Sequence, residues 1–235
     1  MTESKKLRLL TATQVVEEQR KGAILLDTRP PEQFAALHIR GAIQIGLTGP
    51  FSSWAAMLVR PSQELVVVAE DKSQAEEAHI RLARVGLERV IGFFLADETQ
   101  WRQEDMDLTS IPTVGCVGIC QALESGEPVQ LVDVRSRAEW LKGHLPGAIS
   151  VPLLDLEAAA RRIDPSSPSL VYCREGFRAT TAASILLRES SNDIRIFVDG
   201  FEGWLAVRIS GAEPDVLLRP AACRPLVAMV AGCVL

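Results

Sequence analysis

A chain of 235 residues with 47% hydrophobic and 23% charged side chains is long enough for two modest domains, each with its own core. A net charge of −5 offers no footprint for nucleic acid or an anionic membrane surface, and aromatic residues at 5% argue against a base-stacking platform. The five cysteines, Cys116, Cys120, Cys173, Cys223 and Cys233, form neither an even disulfide framework nor a C-x2-C pair. Cys116 and Cys120, four apart on a predicted helix, read as packing residues. The first residues lead into no long apolar core and no small-residue cleavage site, so no secretory signal is expected. The expected compartment is the cytoplasm, whose reducing conditions suit a reactive thiol.

In chain order, Thr11 to Arg20 reads as a polar-faced helix and Ala23 to Leu26 as a buried strand ending at Asp27. Phe51 to Leu58 suggests an amphipathic helix, and Glu64 to Val68 a central strand. Ala75 to Arg84 reads as a helix with Ala75, Ala78 and Leu82 on one side, and its His79 as a surface or packing histidine. From Ala96 to Ile111 the composition turns polar and acidic and Pro112 follows, which reads as a linker over 96–112. Thr113-Val114 opens a second domain, Val117 to Glu124 is a short helix, and Val129 to Val134 is a strand. Apolar strands alternating with helical stretches predict an α/β fold, each domain a mainly parallel sheet with helices on both faces. Ligands of such sheets gather at the carboxyl ends of the strands, where Asp133 and Cys173 should meet.

The halves repeat each other. Leu25-Leu26-Asp27-Thr28-Arg29 through His38-Ile39-Arg40-Gly41-Ala42-Ile43 matches Leu131-Val132-Asp133-Val134-Arg135 through His144-Leu145-Pro146-Gly147-Ala148-Ile149 at a constant offset of 106, an internal duplication. The expected domains are 1–95, a linker 96–112, a second domain 113–212 and an apolar tail 213–235.

Leu170-Val171-Tyr172 runs into Cys173-Arg174-Glu175-Gly176-Phe177-Arg178, and a helix is predicted from Ala179 with Ala179, Ala182, Ala183 and Leu186 on one face. A strand, a tight loop and a helix in that order make a cup. Gly176 can take a positive φ, which lets successive amides turn inward, and the helix start adds roughly half a positive charge. Cys173 would lie at the bottom, where these groups and Arg178 favour the thiolate, the reactive form of a cysteine. Arg174 and Arg178 against Glu175 leave the loop net positive, which favours an anionic donor. Phe177 would supply an apolar wall, and Arg178 would brace the loop or neutralise the bound anion. Asp133 and Arg135, at a strand end, are expected to support this edge, and His144 reads as structural because its counterpart His38 sits in the other half.

That other half lacks the nucleophile. Ala69 stands where Cys173 stands, at an offset of 104, and the segment after it, Glu70 to Glu77, carries four carboxylates against one lysine. Those carboxylates would occupy an anion site and repel an anionic donor, so the first domain reads as catalytically silent.

The spacing from Cys173 to Arg178 is C-x4-R, one residue shorter than the C-x5-R loop that wraps phosphate in cysteine-dependent phosphatases. A tighter cup suits one terminal sulfur. With the 131–135 and 143–149 motifs, the loop resembles the rhodanese family of sulfurtransferases over about residues 113–210. Arg195 to Trp204 is similar to that family's closing motif, with one glycine before Phe201 where two are usual and Trp204 read as a core residue. The first half, notably Gly49-Pro50-Phe51-Ser52-Ser53-Trp54-Ala55, is similar to the silent rhodanese-like segment in fusions of a persulfide dioxygenase to tandem rhodanese domains. The dioxygenase itself is not expected here, since His38, His79 and His144 are widely separated and lack H-x-H spacing.

The resemblance implies two tandem rhodanese-like domains and a sulfurtransferase working through a Cys173 persulfide, without a cofactor or metal. Sulfur would come from thiosulfate or a low-molecular-weight persulfide, held by Arg174, Glu175, Gly176, Phe177 and Arg178, and would pass to cyanide, sulfite or a thiol. Expected partners are these small molecules and an enzyme of sulfide or persulfide metabolism, with no nucleic acid and no membrane. A phosphatase or arsenate reductase on the same fold, and a non-enzymatic persulfide carrier or docking module, are the alternatives. In the tail, ten apolar residues, Leu226 to Leu235, are too few to cross a bilayer, which takes about 20. They read as cover for the domain surface or as the start of a longer membrane segment in related chains, with Cys223 a candidate acceptor of the persulfide.

Overall fold

The computed structural model describes residues 7–125, 129–189 and 193–209, so the readings made for the tail, with Cys223 and Cys233, lie outside the described residues. The chain divides into two compact units, residues 1–111 with 183–190 and residues 112–182 with 191–235.

In the first unit α1 (Ala12–Arg20) starts on a capping box, with Thr11 Oγ1 accepting from Gln14 N–H and the Gln14 side chain accepting from Thr11 N–H. There follow β1 (Ile24–Asp27), α2 (Pro31–Ala36), β2 (His38–Ile39), β3 (Ile43–Gln44), α3 (Phe51–Leu58), β4 (Leu65–Ala69), α4 (Lys72–Ala83), β5 (Val90–Leu95), α5 (Glu98–Gln103) and β6 (Leu108–Thr109). Four strands form a parallel sheet in the order β3-β1-β4-β5. Every residue of β1 and β4 is buried, the pattern of strands covered on both faces.

The second unit holds β7 (Thr113–Val114), α6 (Cys116–Ser125), β8 (Gln130–Asp133), α7 (Arg137–Leu141), β9 (Ile149–Ser150), α8 (Leu156–Ala159), β10 (Ser169–Tyr172), the first part of α9 (Phe177–Glu189, whose residues from 183 on count with the first unit), β11 (Ile194–Phe197) and α10 (Gly200–Ile209). Its five strands are parallel, in the order β7-β11-β10-β8-β9. Strands β9-β8-β10-β11 repeat β3-β1-β4-β5, and a parallel bridge between Leu9 and Phe93 stands where β7 meets β11. The duplication read from the residues is therefore also a duplication of topology. One face packs Ile119, Leu131, Leu145, Leu170, Tyr172 and Phe197, with Cys116, Phe201 and Trp204 against them.

The stretch 96–112 differs from the linker its composition suggests. It carries α5 and β6, β6 pairs antiparallel with β2, and Ile111 N–H donates to Ala35 C=O at 2.8 Å. Polar residues on the exposed side hid three buried apolar anchors, Trp101, Met106 and Ile111. Among the described residues no helix is long and apolar enough to cross a membrane.

Candidate active site

Parallel strands β8 and β10 end side by side, with Asp133 in register with Tyr172, so the residue after Tyr172 emerges beside the Asp133 edge. Asp133 and Arg135 brace that edge from below. The Arg135 Nε donates to both Asp133 oxygens at 3.0 Å, and its Nη2 donates to Asp133 Oδ2 at 2.6 Å and to Gly143 C=O at 2.7 Å. Both side chains are buried, and the guanidinium lies 4.0 Å from the centre of the Phe201 ring on α10. His144 has its Nδ1 3.2 Å from Trp140 C=O and its ring stacked on Trp140 at 3.6 Å, an arrangement that holds the loop before β9.

Cys173 is the first residue after β10 and is 1% exposed. Its Sγ accepts a hydrogen bond from Gly176 N–H at 3.1 Å, the inward turn of amide toward sulfur that the sequence suggests. The loop's carbonyls are used outside the cup. Cys173 C=O accepts from Phe201 N–H at 2.8 Å, Arg174 C=O from Glu202 N–H at 3.2 Å, and Gly176 C=O from Thr180 N–H at 3.2 Å. Gly176 has φ +93°, and a Cβ there would stand 2.8 Å from Val198 C=O, so both the turn and the close approach require glycine.

Two sequence expectations need correction. Helix α9 begins at Phe177, two residues before the predicted start, because Gly176 C=O serves as the first helical acceptor and Thr180 Oγ1 also donates to it. Arg178 is therefore in the first helical turn rather than in the loop. The expected positive excess is also absent. Arg178 is bidentate to Glu139, with both N···O distances 2.7 Å, and Arg174 Nε lies 3.1 Å from Glu202 and 3.5 Å from Glu175. Three carboxylates thus face two guanidinium groups.

Glu139 and Glu202 do not stand out as site residues in the sequence, since they lie 39 and 28 residues from the arginines they hold. The signal for Glu139 was present, since Ser136-x-x-Glu139 is a capping box at the start of α7. Arg178, and then Ser136, hold the Glu139 carboxyl far below the usual range, at about 2, against an opposing effect of burial. Glu139 in return holds Arg178 above its ordinary value. Phe177 is half-exposed at the rim, as is Glu175. Among the described residues no three His, Cys, Asp or Glu side chains converge as metal ligands.

The first unit repeats the scaffold with different chemistry. Arg29 Nη2 is 2.7 Å from Asp27 Oδ2 and 2.9 Å from Leu37 C=O, and His38 stacks on Phe34 at 3.9 Å. At the sheet edge, however, buried Ala69 replaces the cysteine. Gln33 and Gln74, the counterparts of Glu139 and Arg178, both donate to Glu70, at 2.9 and 2.7 Å. Hydrogen bonds from Gln74 and then Gln33 hold the Glu70 carboxyl below its usual range, so a carboxylate sits where the second unit has Arg174.

The model of the rhodanese-like domain matches residues 11–101 and again 120–207. A putative sulfur carrier protein of Bacillus subtilis, YrkF, is 27% identical over 96 residues, which cover 41% of this chain and 52% of that protein. The thiosulfate sulfurtransferase GlpE of Pseudomonas fluorescens is 30% identical over 74 residues, 32% of this chain and 68% of the relative. Among solved structures, a thiosulfate sulfurtransferase from Pseudomonas aeruginosa aligns at 22% identity over 86% of this chain and 42% of its own, with a TM-score of 0.37. The chain spans about half the length of the sulfur carrier it matches.

Proposed function

The chain belongs to the rhodanese-like domain family, with one such domain in each half, and from that premise we propose that its second domain is a sulfurtransferase acting through a persulfide on Cys173. The observation that carries this reading is the Gly176 N–H aimed at the buried Cys173 Sγ from 3.1 Å. A donor directed there already complements negative charge on sulfur.

In the first step the Cys173 thiolate attacks the outer sulfur of the donor. A new S–S bond forms, the donor's own bond to that sulfur breaks with its electron pair, and sulfite leaves thiosulfate or a thiolate leaves a persulfide. In the second step cyanide, sulfite or a thiol attacks the outer sulfur and returns the Cys173 thiolate. No net oxidation occurs on the protein. Arg178, fixed on Glu139, forms part of the wall. The loop length supports sulfur over phosphate transfer, because Cys173 to Arg178 is one residue shorter than the C-x5-R loop that wraps phosphate. With Ala69 in place of the nucleophile, the first domain takes no part in the chemistry.

Thiocyanate formation from thiosulfate or an organic persulfide with cyanide tests the proposal. The native chain turns over, and Cys173→Ser loses activity by about 100-fold or more, as for loss of a nucleophile. Hydrolysis of an aryl phosphate that depends on Cys173, without any sulfur transfer, would instead establish a phosphatase.

A further inference from the structure

The first turn of α10 is tied to the mouth of the cup twice over. Phe201 N–H donates to Cys173 C=O and Glu202 N–H to Arg174 C=O, while the Glu202 carboxylate lies 3.1 Å from Arg174 Nε. Gly200, at φ +59°, lies against the Cys173 and Arg174 carbonyls, which leaves no room for a side chain. Glu202 thus holds its place beside the entrance through the backbone as well as through its ion pair. Glu175 engages the same arginine from the loop. The Glu202 and Glu175 side chains remain 49% and 60% exposed, so their charge faces the solvent from which a donor arrives. Two exposed apolar side chains accompany them, Phe177 directly after Gly176 and Val198, whose carbonyl abuts Gly176.

Thiosulfate concentrates two negative charges in a small ion. A thiosulfate ion approaching the Cys173 loop must bring that charge past Glu202 and Glu175, exposed on either side of Arg174. An organic hydrodisulfide, R–S–SH, carries at most one negative charge on its outer sulfur, offset where R is cationic, and has an R group able to lie along Phe177 and Val198.

Resting on the sulfurtransferase reading, we propose that this site takes its sulfur from organic hydrodisulfides with an uncharged or cationic R group in preference to dianionic thiosulfate, and that Glu202 is a specificity-determining residue for that choice. Chemically, Cys173 forms a bond to the outer sulfur, and the R–S bond to that sulfur breaks with its pair going to R–S. The R–S group takes the hydrodisulfide proton and leaves as the thiol RSH, and Cys173 remains as the persulfide anion.

The test compares kcat/KM for thiosulfate and for the hydrodisulfide of cysteamine, with one acceptor, in the native chain, Glu202→Gln and Glu202→Asp. The native chain favours the hydrodisulfide. In Glu202→Gln the ratio moves toward thiosulfate by about three- to tenfold, mainly through KM and less at high salt, the size expected of one partly screened charge beside a doubly charged ligand. Glu202→Asp keeps the native preference. If both donors turn over but thiosulfate is used as well as the hydrodisulfide, or Glu202→Gln leaves the ratio unmoved, the preference is wrong and the role of Cys173 survives. Transfer from neither donor, with no sulfur added to Cys173, would overturn the function itself and the preference with it.

Discussion

What an arginine does beside a nucleophile depends on which oxygens already hold it. Arg178 is held by Glu139, so it acts as a fixed wall with little freedom to follow a ligand. Glu139→Gln keeps a side chain suited to the α7 capping box and removes only the charge. We expect it to lower kcat/KM severalfold and to destabilise the fold by about 1–2 kcal/mol, discounted for solvent screening, measured by urea unfolding. The pH dependence has a definite sign. Arg178 holds the Glu139 carboxyl at about 2 in the folded chain, down from its ordinary 4.5, so its stabilisation is complete above about pH 4.5 and fades as pH falls toward about 2. Glu139→Gln should therefore flatten the stability profile in that acid window. Asp133 is a different case, being buried against an equally buried Arg135. Asp133→Ala leaves that guanidinium unpaired and should cost about 3–5 kcal/mol in urea unfolding, far more than any effect specific to sulfur transfer.

At the level of elements, the cup depends on α10 as much as on the loop itself. Its first-turn amides take the loop's carbonyls, and that division leaves Gly176 N–H for the sulfur. Gly176→Ala meets both a positive φ and the Val198 carbonyl, so we expect a stability loss of about 1–2 kcal/mol and a fall in kcat/KM of about tenfold or more, read from unfolding and turnover on one preparation. The central strands were legible in the residues because they are apolar throughout, and the loop because cysteine, glycine and arginine stood close together. The start of α9 was not, since charged and aromatic residues at 177 and 178 read as loop while the cue, Gly176 as first acceptor, is a backbone property. Helix α5 was missed for a related reason. Its polar surface outweighed Trp101, whose indole N–H donates to Leu95 C=O from a fully buried position.

For the whole molecule, a duplication whose halves share one scaffold but differ at the end of the central strand explains why the Asp–Arg brace and the stacked histidine occur twice while Cys173 faces Ala69. The offset of 106 made the repeat readable, yet Glu139 and Glu202 escaped because contacts between distant segments leave no local pattern. Placing a cysteine at position 69 alone should not make the first domain active, because Glu70, gripped by Gln33 and Gln74, presents a carboxylate to any anionic sulfur. Ala69→Cys in a Cys173→Ser background should therefore gain no sulfur from thiosulfate, as judged by intact mass. A persulfide on Cys173 is most directly sought on the native chain by the same method. After exposure to an organic hydrodisulfide and removal of excess donor, the chain should carry one added sulfur, located on Cys173 by peptide mapping and lost when cyanide is supplied. Sulfur distributed over other cysteines, or an unmodified Cys173 under conditions where the donor is consumed, would contradict transfer through Cys173.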